Sequence, residues 1–471
     1  MGDQTNPMEN QNPFNPRCQE LVARFEQMMQ QNRRAFFDAD ELEEIIDFYG
    51  ENGDFTSLLT VVEFGLSIYP LNHMLMLKEA QALLSLGRIT QGIQRLKKIE
   101  KIEKSEELCL TLASVYSQQR EHQKSIKYLR EALSFSSGEN DAEIYLEMAF
   151  EYENMSRFDK AKDVLKEAIQ KFGDNEMLLH ELAFVFENLG GAAESVEYFS
   201  KLTDIDPYSY AAWYNLGNAL QSSDQVVSAI EAYDYCIAIQ EDFTPAYYNK
   251  AHCLFKQENY LDSIRVFEET YAYEPPQAHV FCHIGECFEK LQEFDKAIFY
   301  YRKSIGADES YADAYLGIGL TLDLQGKSEE GITFIDKAMV MDPDNTDYLL
   351  FKLDIVTRKA DNKRALDTIE ALLTFHRHSA DMFLDVSEYY MHINDFNRAM
   401  QILEEGMQEL AECNVLIIRK SAFYFLRNQM ADCLTTLQLA SPCSQDEWHE
   451  LQDMHPDFCN HPEVVALMKW K

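Results

Sequence analysis

The sequence predicts an all-α fold built from one repeated helix pair, and three observations predict it. Large apolar residues recur every 34 positions: from Trp213 the step reaches Tyr247, Phe281, Tyr315 and Leu349 forwards, and Leu179 and Tyr145 backwards. Two small places keep the same step. One runs Ala149, Ala183, Gly217, Ala251, Gly285 and Gly319, the other Ala161, Ser195, Ala229, Ser263, Ala297, Gly331, Ala365, Ala399 and Cys433. Pro70, Pro207, Pro275 and Pro343 punctuate the pattern where a helix must end, because proline lacks the N–H that would continue it.

Trp213, Leu216, Gly217 and Leu220 share one helical face, and Ala229, Tyr233 and Cys236 share a second. Such a pair exposes apolar faces that it cannot bury alone, so neighbours must stack and the two ends need lids. A polar disordered arm is expected over residues 1–16. A capping helix follows over 17–38, with Leu21, Val22, Phe25 and Met28 on one side. The array occupies 39–443 as about twelve repeats, starting near 39, 73, 106, 142, 176, 210, 244, 278, 312, 346, 380 and 414. The step from 106 to 142 is two residues long, and Ser136, Ser137, Gly138, Glu139 and Asn140 supply a loop that absorbs it. From 346 onward the repeats keep Ala365 and Ala399 but lose the central glycine, and Lys352 stands in a usually apolar place. Residues 444–471 are expected to form capping helices near 445–454 and 462–470. Pro462 suits the first turn of the second, and Trp448 and Trp470 seal the last repeat.

Apolar residues make up 46% of the chain and aromatics 12%, enough for an extensive core. Lys plus Arg total 42 against 80 Asp plus Glu, a formal charge of -38, which repels phosphate backbones and anionic lipid surfaces. No nucleic acid and no membrane partner is expected. The opening MGDQTNPMENQNPFNP lacks the basic and apolar parts of a signal peptide, and Asn6 stands where a myristoylation signal needs Ser or Thr, so a soluble cytoplasmic protein is expected. Ten cysteines without a C-x-x-C read as reduced packing residues.

The run Ala212, Trp213, Tyr214, Asn215, Leu216, Gly217, Asn218, Ala219 and Leu220, followed by Ala229, Tyr233 and Cys236, resembles the tetratricopeptide repeat. That pattern reads W-x2-L-G-x2-Y, then A-x3-F, then P. The whole chain looks like a bacterial-type protein made of these repeats alone. The resemblance implies a right-handed superhelical solenoid whose first helices line a concave groove. It places Leu146, Phe150, His180, Phe184, Tyr214, Asn215, Asn218, Tyr248, Asn249, His252, His279, Cys282, His283, Glu286, Leu316 and Leu320 around that groove. A non-catalytic scaffold or adaptor is expected, binding peptide or helical segments of other proteins, basic or aromatic ones suiting an acidic wall lined with tyrosines. The alternatives are a recruiting subunit of an enzyme complex, a chaperone-tail-binding co-chaperone and a metal-binding solenoid. Asn218, Asn249, His279 and His283 have the spacing of the family's carboxylate clamp, but Tyr214 and the histidines replace its cations.

Catalytic signatures are missing. His180-Glu181 begins like H-E-x-x-H, yet Phe184 takes the second histidine's place, and no histidine follows His449-Glu450 at that distance. Gly326, Lys327 and Ser328 resemble the end of a phosphate loop, but Thr321 replaces its first glycine and no strand precedes it, so an inter-helix turn is expected. His252, Cys253, His279, Cys282, His283 and Cys287 form one His/Cys grouping, and Cys443, His449, His455, Cys459 and His461 another. Neither has paired zinc-ligand spacing. No cofactor and no metal is expected, and the oligomeric state is not set by the sequence.

Overall fold

A computed structural model describes residues 16–31, 35–138, 140–375, 379–410, 413–440, 451–452 and 454–467. Among them every regular element is helical and no strand occurs. The chain divides into two compact halves, Met1–Glu241 and Asp242–Lys471. In the first half the antiparallel pairs open with Ala39–Glu51, His73–Ser85, Glu106–Gln118, Asp141–Asn154, Glu176–Asn188 and Tyr210–Ser222. In the second they open with Thr244–Lys256, Ala278–Lys290, Ala312–Leu324, Thr346–Arg358, Ala380–His392 and Asn414–Leu426. Within each half a pair's second helix packs on its own first helix and on the first helix of the next pair. No helix among the described residues is long and apolar enough to cross a membrane.

The two helices of a pair touch at their small places. A Cβ added to Gly331 would lie 2.5 Å from the Gly319 carbonyl oxygen, and one on Gly319 would lie 2.9 Å from that of Gly331. Where serine takes such a place, its hydroxyl bonds across the crossing: Ser263 Oγ donates to Ala251 O at 2.8 Å and Ser421 Oγ to Cys433 O at 2.7 Å. Stacking of one pair on the next uses the same shortage of side chain. The buried Tyr301 ring, from the helix Phe294–Ala307, fills the space left by Gly285 on its own partner helix and by Gly317 on the next.

The turn inside each pair has one residue in the left-handed region. In four pairs it is a glycine, as at Gly326 (φ 79°), but elsewhere Arg120, Ser156, Asp224, Glu258, Gln292, Ala360, Asn394 and Asn428 adopt it. Lys327 N–H donates to Leu322 O and Gly326 N–H to Asp323 O, both at 2.8 Å, so the turn closes by satisfying the orphan carbonyls at the helix end. Gly326, Lys327 and Ser328 are therefore a helix-capping turn. Polar side chains join successive pairs at the repeat distance: Tyr210 OH donates to Glu176 at 2.6 Å, and the Arg364 fork holds both Glu329 oxygens at 2.7 and 2.9 Å. Lys352 is accommodated because its ammonium reaches out to Asp336 at 2.7 Å.

The helix Pro16–Gln31 buries Leu21, Val22, Phe25 and Met28 against Phe37, Leu42 and Ile45, with Phe25, Phe37 and Phe64 meeting edge to face. At the other end Pro456–Cys459 and Pro462–Leu467 lay Phe458, Cys459 and Val464 on Ile418, Ala422 and Cys433. Residues 1–15, 441–450 and 468–471, with Trp448 and Trp470, lie outside the described residues.

Two glycines separate packing from backbone freedom. Gly331→Ala is expected to cost about 1–3 kcal/mol, because backbone and not a flexible side chain must give way. Gly306, also helical, has nothing within 4 Å of its would-be Cβ, so Gly306→Ala is expected to stabilise by about 0.5–1 kcal/mol. Urea unfolding of the two variants beside the parent checks both signs.

Candidate functional site

The first helices of neighbouring pairs lie side by side within each half, so residues at equal places form rows. In the N-terminal half Phe150 and Phe184, 34 residues apart, are 45% and 47% exposed, with exposed His180 one turn before Phe184. Beside them Glu153 and Glu181 meet across the two helices. Burial, then the neighbouring Glu181 carboxylate, raises the Glu153 pKa, and burial raises that of Glu181. Tyr214 is half-buried and leans on Tyr233, ring centroids 6.1 Å apart. The Tyr233 hydroxyl lies 2.8 Å from Asn218 Oδ1. Leu146 and Asn215 present almost no surface, at 8% and 2% exposure, and the Asn215 Oδ1 has no hydrogen-bond partner among the described residues.

In the C-terminal half the structure brings Tyr248, His252, His279 and His283 into one cluster around Phe267. The His252 and His283 rings meet edge to face at 4.5 Å, and Tyr248 and His279 at 5.1 Å. His283 stacks on Phe267 at 5.7 Å, and its Nδ1 lies 2.9 Å from Glu286 Oε2. The Tyr248 hydroxyl donates to Glu274. Burial, and then His283, lowers the His252 pKa to about 4, and the same causes lower that of His279. Neutral His252 and His279 rings offer no charge to a carboxylate. Asn249, Leu316 and Leu320 are half-buried, while Cys282 is buried at 1% exposure. Burial pushes the Cys253 and Cys287 thiols up to about 11, so they are neutral packing groups rather than thiolates. Among the described residues no group of three or more His, Cys, Asp or Glu side chains is placed to hold a metal ion.

Sequence reasoning missed a cleft of about 530 Å³ between the first helices Thr346–Arg358 and Ala380–His392. Asp347, Asp354, Asp385 and Glu388 give it charge, and Leu350 and the 42%-exposed Phe351 give it apolar surface. The signal was present: Leu316 and Leu320 carried on by 34 reach Leu350 and Asp354.

Residues 106–138, 142–170, 278–311 and 312–345 match a family model described as tetratricopeptide repeat. Solved structures similar to this chain include MamA from Desulfovibrio magneticus RS-1, at 18% identity over 36% of this chain and 97% of that one, with a TM-score of 0.33. Yeast Tom70 is similar at 12% identity over 90% and 97%, with a TM-score of 0.46. A tetratricopeptide repeat protein from Parabacteroides merdae is similar at 14% identity over 62% and 98%, with a TM-score of 0.41. No curated protein matches the sequence.

The histidine cluster makes a pH dependence that can be isolated. His252 stays neutral in the folded chain where the unfolded chain protonates it, so its contribution is whole above pH 6.5 and is lost as pH falls towards about 4. In His252→Phe the drop in urea midpoint between pH 7 and pH 5 is expected to be smaller than in the parent. An equal drop would show that the ring is solvated.

Proposed function

Since the chain is a tetratricopeptide repeat protein, we propose that it is a non-catalytic scaffold or adaptor that holds segments of partner proteins along its first helices. The observation that carries this reading is the row formed by Phe150 and Phe184, large apolar rings kept near half exposure at the same place in successive repeats. Exposed aromatics aligned on a rigid surface give a partner contact area at low entropic cost. The C-terminal half supports the same use separately, through the Tyr248 and histidine cluster and the acidic cleft at Phe351. With an acidic surface, the segment bound carries Lys or Arg beside an apolar residue. The described cysteines are free thiols, which suits a cytoplasmic protein.

Phe150→Ser combined with Phe184→Ser is expected to shift stability only modestly, because about half of each ring is already in solvent. It is expected to reduce capture of the principal partner at least about tenfold, as loss of an interface anchor does. Quantitative pull-down of parent and variant, with melting curves alongside, is the check. Undiminished capture by a folded variant rejects the Phe150 and Phe184 row as the contact.

A further inference from the structure

Within the N-terminal half, a cleft of about 480 Å³ opens between the second helix His122–Phe135 and the following first helix Asp141–Asn154. Its charge is opposite to that of the chain. Lys127, Arg130 and Arg157 line it, and the one carboxylate in the lining, Glu131, is already paired with Lys104 and, at 3.7 Å, with Lys127.

Both guanidinium groups sit on one tyrosine. Arg130 Nη2 donates to the Tyr152 hydroxyl at 2.9 Å, and Arg157 stands 5.9 Å from the centre of the same ring. Tyr152 is 8% exposed, so the platform is built into the core. Among the described residues neither arginine has a carboxylate within ion-pair distance, although the chain carries 80 acidic side chains and Lys160, three residues from Arg157, is paired with Asp163 at 3.0 Å. The Tyr152 hydroxyl accepts from Arg130, and its own proton has no acceptor among the described residues. Two forked cations and a spare hydroxyl donor thus converge on one space.

We infer that this cleft is an oxyanion site and that its ligand is a phosphate monoester on an organic body. Guanidinium forks match the oxygens of a tetrahedral phosphoryl group, whose charge near -2 suits the two unpaired guanidinium cations better than a carboxylate's single charge. The volume exceeds what a bare oxyanion fills, and Ile126 and Met155 give the rest of the lining an apolar surface for the body of the ester. The net charge of -38 does not forbid this, because carboxylates beyond about 8 Å are screened at physiological salt. A nucleic acid would meet that whole surface and is excluded as the ligand.

The test is calorimetric titration of the full chain with phenyl phosphate and, separately, inorganic phosphate. Phenyl phosphate is expected to bind one equivalent saturably, and inorganic phosphate to compete for the same site more weakly. Arg157→Gln and Arg130→Gln are each expected to weaken phenyl phosphate at least about tenfold, the effect of losing a charge-assisted hydrogen bond. Among the described residues the Arg157 guanidinium contacts only a ring face, so its variant keeps the question open to measurement if Arg130→Gln fails to fold. Absence of saturable binding, or equal affinity in Arg157→Gln, overturns the site. Inorganic phosphate binding as tightly as phenyl phosphate overturns the organic body.

Discussion

The structure rests on one contact, the meeting of two helix backbones at a place where neither has a side chain to keep them apart. Gly319 against Gly331 is its tightest form, and Ser263 against Ala251 a looser one with a hydroxyl bonded across. This contact fixes how close the helices of a pair lie, and that separation decides what fits between pairs. Tyr301 shows the consequence, its ring occupying the room left by glycines on two different first helices. A bulky residue at the crossing would spread the pair and disturb its stacking on the next one.

This dependence also explains what could be read without coordinates. Most crossings take small residues, Leu353 opposite Ala365 being an exception, and the stacking faces take large ones, so both requirements recur with the repeat and make the all-α fold legible as a 34-residue step. The turns were less legible, because a left-handed residue with no glycine, such as Gln292 or Ala360, carries no mark of its conformation. Surfaces were harder still. Leu146 and Phe150 lie one turn apart on the same helix, yet one is buried and the other half in solvent. Which of them faces out depends on the angle between neighbouring pairs, and no single repeat records that angle. The cleft at Arg130 and Arg157 was hidden for a related reason. Its residues come from two repeats separated by the irregular 136–140 loop, so no fixed step links them.

Charge is distributed with the same economy of position. Most acidic side chains face water, but a few are enclosed with partners that decide their state. Glu289 accepts from Thr321 at 2.6 Å beside Tyr301, and burial still raises its pKa. Glu388 shows the opposite balance: burial works to raise its pKa, but His455 at 3.6 Å and the Arg419 guanidinium at 3.0 Å outweigh it and hold the pKa below the usual carboxylate value. The Arg419–Glu388 ion pair ties the last helix pair to the pair before it. The state of an enclosed acid is therefore set by its own partners rather than by the net charge of the chain.

The loop at 136–140 shows where the chain tolerates a change of length. Two extra residues there leave the helix pairs on either side intact, because the loop lies between pairs and no crossing depends on its length. Inside a pair the two small places are always twelve residues apart, as Gly319 and Gly331 are, and a single insertion would put a side chain into the crossing. For the gene, whole-repeat duplications and short slips between pairs are the inherited changes such a chain absorbs. A frame-preserving codon gained within a pair is the kind that purifying selection removes.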